Sequence, residues 1–383
     1  MLPLSNPTPE ATLVGRVWRP GIGPALVRLD GASVIDITSR DLSTMQALLD
    51  TANPTETARS VAGEVICSLS DLVTGSTPDA GEDALHLLAP PDLQAIKACG
   101  VTFAASMVER VIEEQAAGDP DSAAAIREKV GALIGDSLSG IEPGSEKAAE
   151  VKALLQTEGL WSQYLEVGIG PDAEVFTKGQ PMSSLGWGAQ VGLHPMSKWN
   201  NPEPEIVLAV NGRGEICGAT LGNDVNLRDV EGRSALLLGK AKDNNASCAI
   251  GPFLRLFDET FTLDNIRKAE LTLKVEGADG FMLDGHSSMS QISRDPADLV
   301  AQTIGRHHQY PDGFFLFLGT LFAPVQDRDA PGQGFTHHEG DLVTISEPAL
   351  GELRNRVGLS TECPEWRFGI AALMRNLAGR GLL

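Results

Sequence analysis

The chain has 383 residues, 42% of them hydrophobic, enough to bury a sizeable core and to divide into two domains. A formal net charge of -21 with no long basic run argues against nucleic acid or an anionic membrane as partner. Five scattered cysteines without Cys-x-x-Cys spacing read as reduced thiols, and neither a signal-peptide pattern nor an apolar run of about 18 residues occurs, so a cytoplasmic enzyme acting on a small molecule is the default expectation.

Residues 1–95 read as a small, mainly β N-terminal domain. Thr12 to Trp18 and Ala25 to Leu29 are strand-like, Asp30-Gly31 before Val34 to Ile37 signals a hairpin, and Ser43 offers a cap for a short helix through Leu49. Residues 96–383 read as the second domain. There Cys99 to Phe103 runs from a strand into a helix, and a helical insertion over about 107–159 follows, with helix starts at Asp119-Pro120 and Ser145. From Leu160 onward the segments are short, β-branched and separated by Gly-rich turns such as Asn211 to Gly214 and Pro311 to Gly313. That pattern predicts a mixed β-sandwich or roll holding one helix near 294–304, and therefore an α+β fold.

The chemistry gathers between Lys198 and Lys242. In a strand Glu203 and Glu205 point to one face, where two like charges are costly to desolvate unless a cation compensates them. With Asp224 as a third oxygen donor the set suits Mg²⁺, Mn²⁺ or Ca²⁺ over Zn²⁺, and leaves coordination positions open for water or substrate. The competing reading is an exposed edge strand, where Pro204 is tolerated because no donor is needed. Neither His307-His308 nor His337-His338 is expected to bind the ion, since neighbours in a strand face opposite ways. The glycine clusters near 167–170 and 212–214 lack dinucleotide-binding spacing and read as turns.

Glu203-Pro-Glu205, the Asn223-Asp224 to Arg228-Asp229 segment 19 residues beyond Glu205, Ala241-Lys242, and Gly319-Thr320 together resemble the fumarylacetoacetate hydrolase superfamily. The resemblance implies metal binding by Glu203, Glu205 and Asp224, with Lys242 and Thr320 facing the substrate and Lys178 preceding a substrate-facing loop. A likeness over the whole length, through Gly100 to Ala104, Glu109 to Glu114, Leu160 to Tyr164, Lys242 to Asn245 and Arg375 to Leu383, points to the bacterial 2-keto-3-deoxy-pentonate dehydratases. It implies dehydration of a 2-oxo sugar acid to 2,5-dioxopentanoate by a homodimer or homotetramer.

The hydrolase branch carries a catalytic histidine where this chain has Ser106, while Glu109 remains; a serine cannot serve as that base near neutral pH. Dehydration is therefore expected over C–C hydrolysis of an acylpyruvate or β-diketone, with a non-catalytic metabolite-binding protein as the reading of another class. Lys242 is expected to bind the substrate carboxylate or act as the C3 base. Glu114, or Glu113 beside it, is expected as general acid, and Ser106 and Asn245 as substrate contacts.

Overall fold

The structure is a computed structural model that describes residues 11–117, 119, 122, 126, 141–157, 161–322, 324 and 326–383. An 11-stranded sheet runs in the order Glu64–Ser68, Ser33–Asp36, Gly23–Asp30, Leu13–Arg19, Cys248–Leu256, Ile216–Leu227, Asn200–Val210, Phe314–Phe317, Ala95–Gly100, Glu174–Gly179, with His86–Leu88 paired beside Leu13–Arg19. A 5-stranded sheet is ordered Met282–Ser288, Glu270–Glu276, Leu342–Glu347, Gly351–Leu359, Gln190–Leu193. Most pairs are antiparallel. Phe314–Phe317 runs parallel to Ala95–Gly100, and Gly351–Leu359 parallel to Gln190–Leu193, so both sheets are mixed as expected.

Period-two alternation decides what each face buries. Ile206, Leu208 and Val210 join Leu271, Leu273, Val275, Val343 and Ile345 in the core between the sheets. Val207 and Ala209 face the other way, into a second core with Ile250, Leu254, Phe315, Phe317 and the Met45–Leu49 helix. The large sheet is thus covered on both faces, and every residue of Asn200–Val210 is buried.

The expected Asp30-Gly31 hairpin joins Gly23–Asp30 to Ser33–Asp36. The short helix after it is capped by Thr44 rather than Ser43: the Thr44 hydroxyl accepts from the Ala47 N–H. Across the boundary expected near residue 95 the large sheet is continuous, because Leu13 and Val14 pair with Arg255 and Leu254. Of the helical insertion, Ala104–Gln115 and Glu146–Thr157 are seen as helices; the helix expected from Asp119 falls mostly outside the described residues. Among the described residues no helix is long and apolar enough to cross a membrane.

Candidate active site

Asn200–Val210 and Ile216–Leu227 form one antiparallel pair, in which Asp224 is registered with Glu203 and Gly222 with Glu205. Cross-strand partners share a face, and so do Glu203 and Glu205, two residues apart. Backbone geometry alone therefore brings the three carboxylates together. One oxygen of each lies within 4.8 Å of the others, and all three residues are buried. The exposed-edge reading of Glu203-Pro-Glu205 is overturned. Pro204 is tolerated because pairing with Phe314–Phe317 ends at Val207, so no ladder hydrogen bond is asked of it on that side.

Basic and polar groups surround the three acids. Lys242 Nζ donates to Glu203 Oε2 at 2.6 Å and to Asp224 Oδ2 at 3.0 Å. Lys178 Nζ meets Asp224 Oδ1 at 2.9 Å. Arg110 Nη2 donates to Glu203 Oε1 at 2.7 Å, and Asn226 Nδ2 reaches the same oxygen at 3.1 Å. Glu205 is held by the Gly319 N–H at 2.6 Å.

The electrostatics follow from these partners. Burial, reinforced by the charges of Asp224 and Glu203, pushes the Glu205 carboxyl well above the usual carboxylate range. Burial also opposes the charge on Asp224, but Lys178 and Lys242 outweigh it and hold that carboxyl below its ordinary value. For Lys242 burial works against the ammonium, yet Asp224, Glu203 and Glu231 raise its pKa. A buried, like-charged oxygen trio whose Glu205 resists ionisation is a donor set that fits a hard divalent ion such as Mg²⁺.

The trio floors a cavity of about 520 Å³ including its mouth. Ser106, Glu109 and Arg110 enter it from the Ala104–Gln115 helix, Arg228 and Glu231 from the Arg228–Glu231 turn of helix, and Thr320 and Phe322 from the segment after Phe314–Phe317. Arg228 Nη2 donates to Glu109 at 3.2 Å, and its guanidinium lies 4.2 Å from the centroid of the Trp199 ring. The Ser106 hydroxyl donates to the Phe103 carbonyl at 2.9 Å, and Thr320 Oγ1 accepts from the Phe322 N–H at 3.1 Å.

The structure thus brings Glu203, Glu205, Asp224, Lys242, Ser106, Glu109 and Thr320 to one cavity. Lys242 ends a short helix, Leu238–Lys242. Lys178 is fully buried and outside the cavity lining; besides Asp224 it donates to the Lys242 and Val225 carbonyls. Two residues are placed elsewhere. Glu114 accepts from Gln163 Nε2 at 2.9 Å outside the lining, and Asn245 Nδ2 donates to the Ser360 carbonyl at 3.0 Å as a loop brace. The side chain of Glu113 lies outside the described residues. Sequence reasoning missed Arg110 and Glu231. The signal for Arg110 was its place one helical turn beyond Met107 and next to Val111, both buried.

Residues 169–358 match the family model described as fumarylacetoacetate (FAA) hydrolase C-terminal, so the chain contains a domain of that family. It is 27% identical over 325 residues, 84% of this chain and 93% of the relative, to a probable 2-keto-3-deoxyxylonate dehydratase of Haloferax volcanii. It is 28% identical over 180 residues, 47% of this chain and 57% of the relative, to a 2-dehydro-3-deoxy-D-arabinonate dehydratase of Saccharolobus solfataricus. A solved structure of 2-keto-3-deoxy-D-arabinonate dehydratase complexed with magnesium and 2,5-dioxopentanoate shares the fold, at a TM-score of 0.61 and 20% identity over 91% of this chain and 99% of that one.

Proposed function

We propose that this protein is a Mg²⁺-dependent hydro-lyase that converts a 2-keto-3-deoxy-pentonate of the xylonate or arabonate type into 2,5-dioxopentanoate. The observation that carries the reading is one cavity uniting the buried carboxylate trio with Lys242 and Glu109, while Ser106 stands where a hydrolase of this family would need its histidine. The dehydratase relative that aligns over 84% of the chain supports the same substrate class.

Glu203, Glu205 and Asp224 would hold the ion, which when bound supplies Lewis-acid polarisation of a 2-oxo acid and so acidifies its C3 protons. The chain's own groups do the rest. Lys242, kept an ammonium by its carboxylate neighbours, clamps the negative charge of the substrate. Glu109, on the helix side of the cavity, takes a proton from C3 and returns it to the C4 hydroxyl, which leaves as water. The resulting C3–C4 alkene isomerises: C3 gains the proton that C5 loses, C4 gains the proton of the C5 hydroxyl, and C5 becomes the aldehyde. Thr320 positions the substrate carboxylate at the cavity wall.

The test is product formation from 2-keto-3-deoxy-D-xylonate with Mg²⁺ and with EDTA, following 2,5-dioxopentanoate through a coupled dehydrogenase. Metal-dependent aldehyde is expected. Pyruvate released from acetylpyruvate, with no aldehyde from the sugar acid, would overturn the reading in favour of hydrolysis. Self-association as a dimer or tetramer belongs to the same proposal and is read by light scattering. A reducing compartment such as the cytoplasm is supported by the five free cysteines.

A further inference from the structure

Glu203 is the most heavily compensated of the three acids. Its Oε2 accepts from Lys242, while its Oε1 accepts from Arg110 at 2.7 Å and from Asn226 at 3.1 Å. Both oxygens are thus engaged by cations. The two cations differ in what they are tied to. Lys242 spans Glu203 and Asp224, both within the trio. Arg110 spans Glu203 and, through Nη1 at 2.8 Å, Glu231, which is outside it. Its guanidinium therefore has a second buried carboxylate on which to stay when its hold on Glu203 is given up.

We infer that Arg110 is an exchangeable counter-ion of the metal site, neutralising Glu203 in the ion-free protein and yielding Glu203 to the divalent cation while Glu231 retains the guanidinium. The inference rests on the metal site proposed above and adds to it a residue that sets its affinity. Two opposed effects act on the ion. A guanidinium hydrogen-bonded to a ligand carboxylate orients that ligand, which favours binding. Its positive charge a few ångströms from a divalent cation in a buried site repels the ion, and at such short range inside a protein the repulsion is the larger effect. Arg110 therefore lowers metal affinity, and in return keeps the ion-free carboxylates from repelling one another. Its position on the helix that carries Ser106 and Glu109 also makes the yielding of Glu203 a movement at the catalytic wall. Arg110 is a positioning residue: it acts on the ion and on the helix, with no contact to the reacting atoms assigned to it.

The experiment is titration calorimetry of the full chain with MgCl₂ and MnCl₂ alone, in wild type, Arg110→Gln and Arg110→Lys, with thermal melts of each in EDTA. Arg110→Gln is expected to bind the ion about tenfold more tightly and to melt lower in EDTA, by the balance just described. Arg110→Lys keeps the charge but cannot bridge two carboxylates, so it is expected to stay within about threefold of the wild-type affinity and to recover part of the melting temperature. Equal or weaker binding in a folded Arg110→Gln, with wild type binding normally, would overturn the inference and leave Arg110 a structural tie or a ligand-orienting group. Absence of metal binding by wild type would overturn the site itself, and with it the inference.

Discussion

Asp224 stands directly opposite Glu203 in an antiparallel ladder, and Lys242 Nζ joins the two at 2.6 and 3.0 Å. One ammonium thus closes what would otherwise be a repulsive cross-strand pair in the interior of the sheet. The same oxygens that accept from lysine are the ones that would accept a divalent ion.

Removing an oxygen donor is the first test of that arrangement. Glu203→Gln or Asp224→Asn is expected to reduce Mg²⁺ affinity by at least about 10²-fold and to abolish turnover, in line with loss of a ligand from an open oxygen site. In wild type, Mg²⁺ at about 100 times its dissociation constant should stabilise the fold by about 2.7 kcal/mol. Differential scanning calorimetry with and without EDTA reads this, and an unchanged melting temperature would exclude a resident ion.

Glu109, which lines the cavity where Glu114 does not, is the proposed proton carrier. Glu109→Gln is expected to lower kcat by about 10²- to 10⁴-fold with metal affinity retained, whereas Glu114→Gln should stay within about fivefold of wild type. Steady-state kinetics on the two variants decides it; loss in Glu114→Gln alone would restore the expectation drawn from the sequence.

Gly319 holds φ at +88°, and a Cβ there would collide with Thr102 Oγ1 while its N–H is committed to Glu205. Gly319→Ala is therefore strained and overpacked together, and is expected to cost about 2–4 kcal/mol and to weaken metal binding. Chemical denaturation beside metal titration reads both effects.

A pH response is built into the 328–341 segment. Burial opposes the charge on Asp341, but hydrogen bonds from Arg328 at 2.6 Å and from His337 hold its carboxyl far below its ordinary value; burial in turn lowers the pKa of His337. Both groups have depressed folded-state values. Each contributes stability that is present above its unfolded pKa and is lost as pH falls, for His337 from about 6.5 downward and for Asp341 only below about 3.9. Melting temperature should therefore begin to decline below about pH 6.5, and His337→Gln should flatten the first part of that decline. A slope unchanged by the substitution would remove His337 from the account. Arg328→Met, which strands Asp341 in the interior, is expected to cost about 3–5 kcal/mol.

Much of the metal trio was legible, because period-two alternation fixes Glu203 and Glu205 on one face whatever surrounds the strand. Burial of that face was not legible. It depends on Phe314–Phe317 arriving from more than a hundred residues away to pair beside Asn200–Val210, with Phe315 and Phe317 on the same face as Val207 and Ala209. The helix ending at Lys242 was hidden for a related reason: a five-residue helix has too few positions to show a period. Arg110 sits among Glu109, Glu113 and Glu114 in the sequence, and the packing of that helix beside the trio brings it to Glu203.

The strand Ala95–Gly100 has Glu174–Gly179 on one side and, in parallel, Phe314–Phe317 on the other. During synthesis at about 5–20 residues per second, the second neighbour emerges roughly 10–40 s after the strand itself. Until then one edge of an apolar strand, and with it the wall bearing Glu109, has no lasting partner to close against. The stretch 169–358 contains Glu203, Glu205, Asp224, Lys242 and Thr320, but neither Ala95–Gly100 nor the helix that follows it. Released alone, it would hold the carboxylates proposed to bind an ion and lack the wall that carries Glu109, so the proposed catalyst needs both stretches.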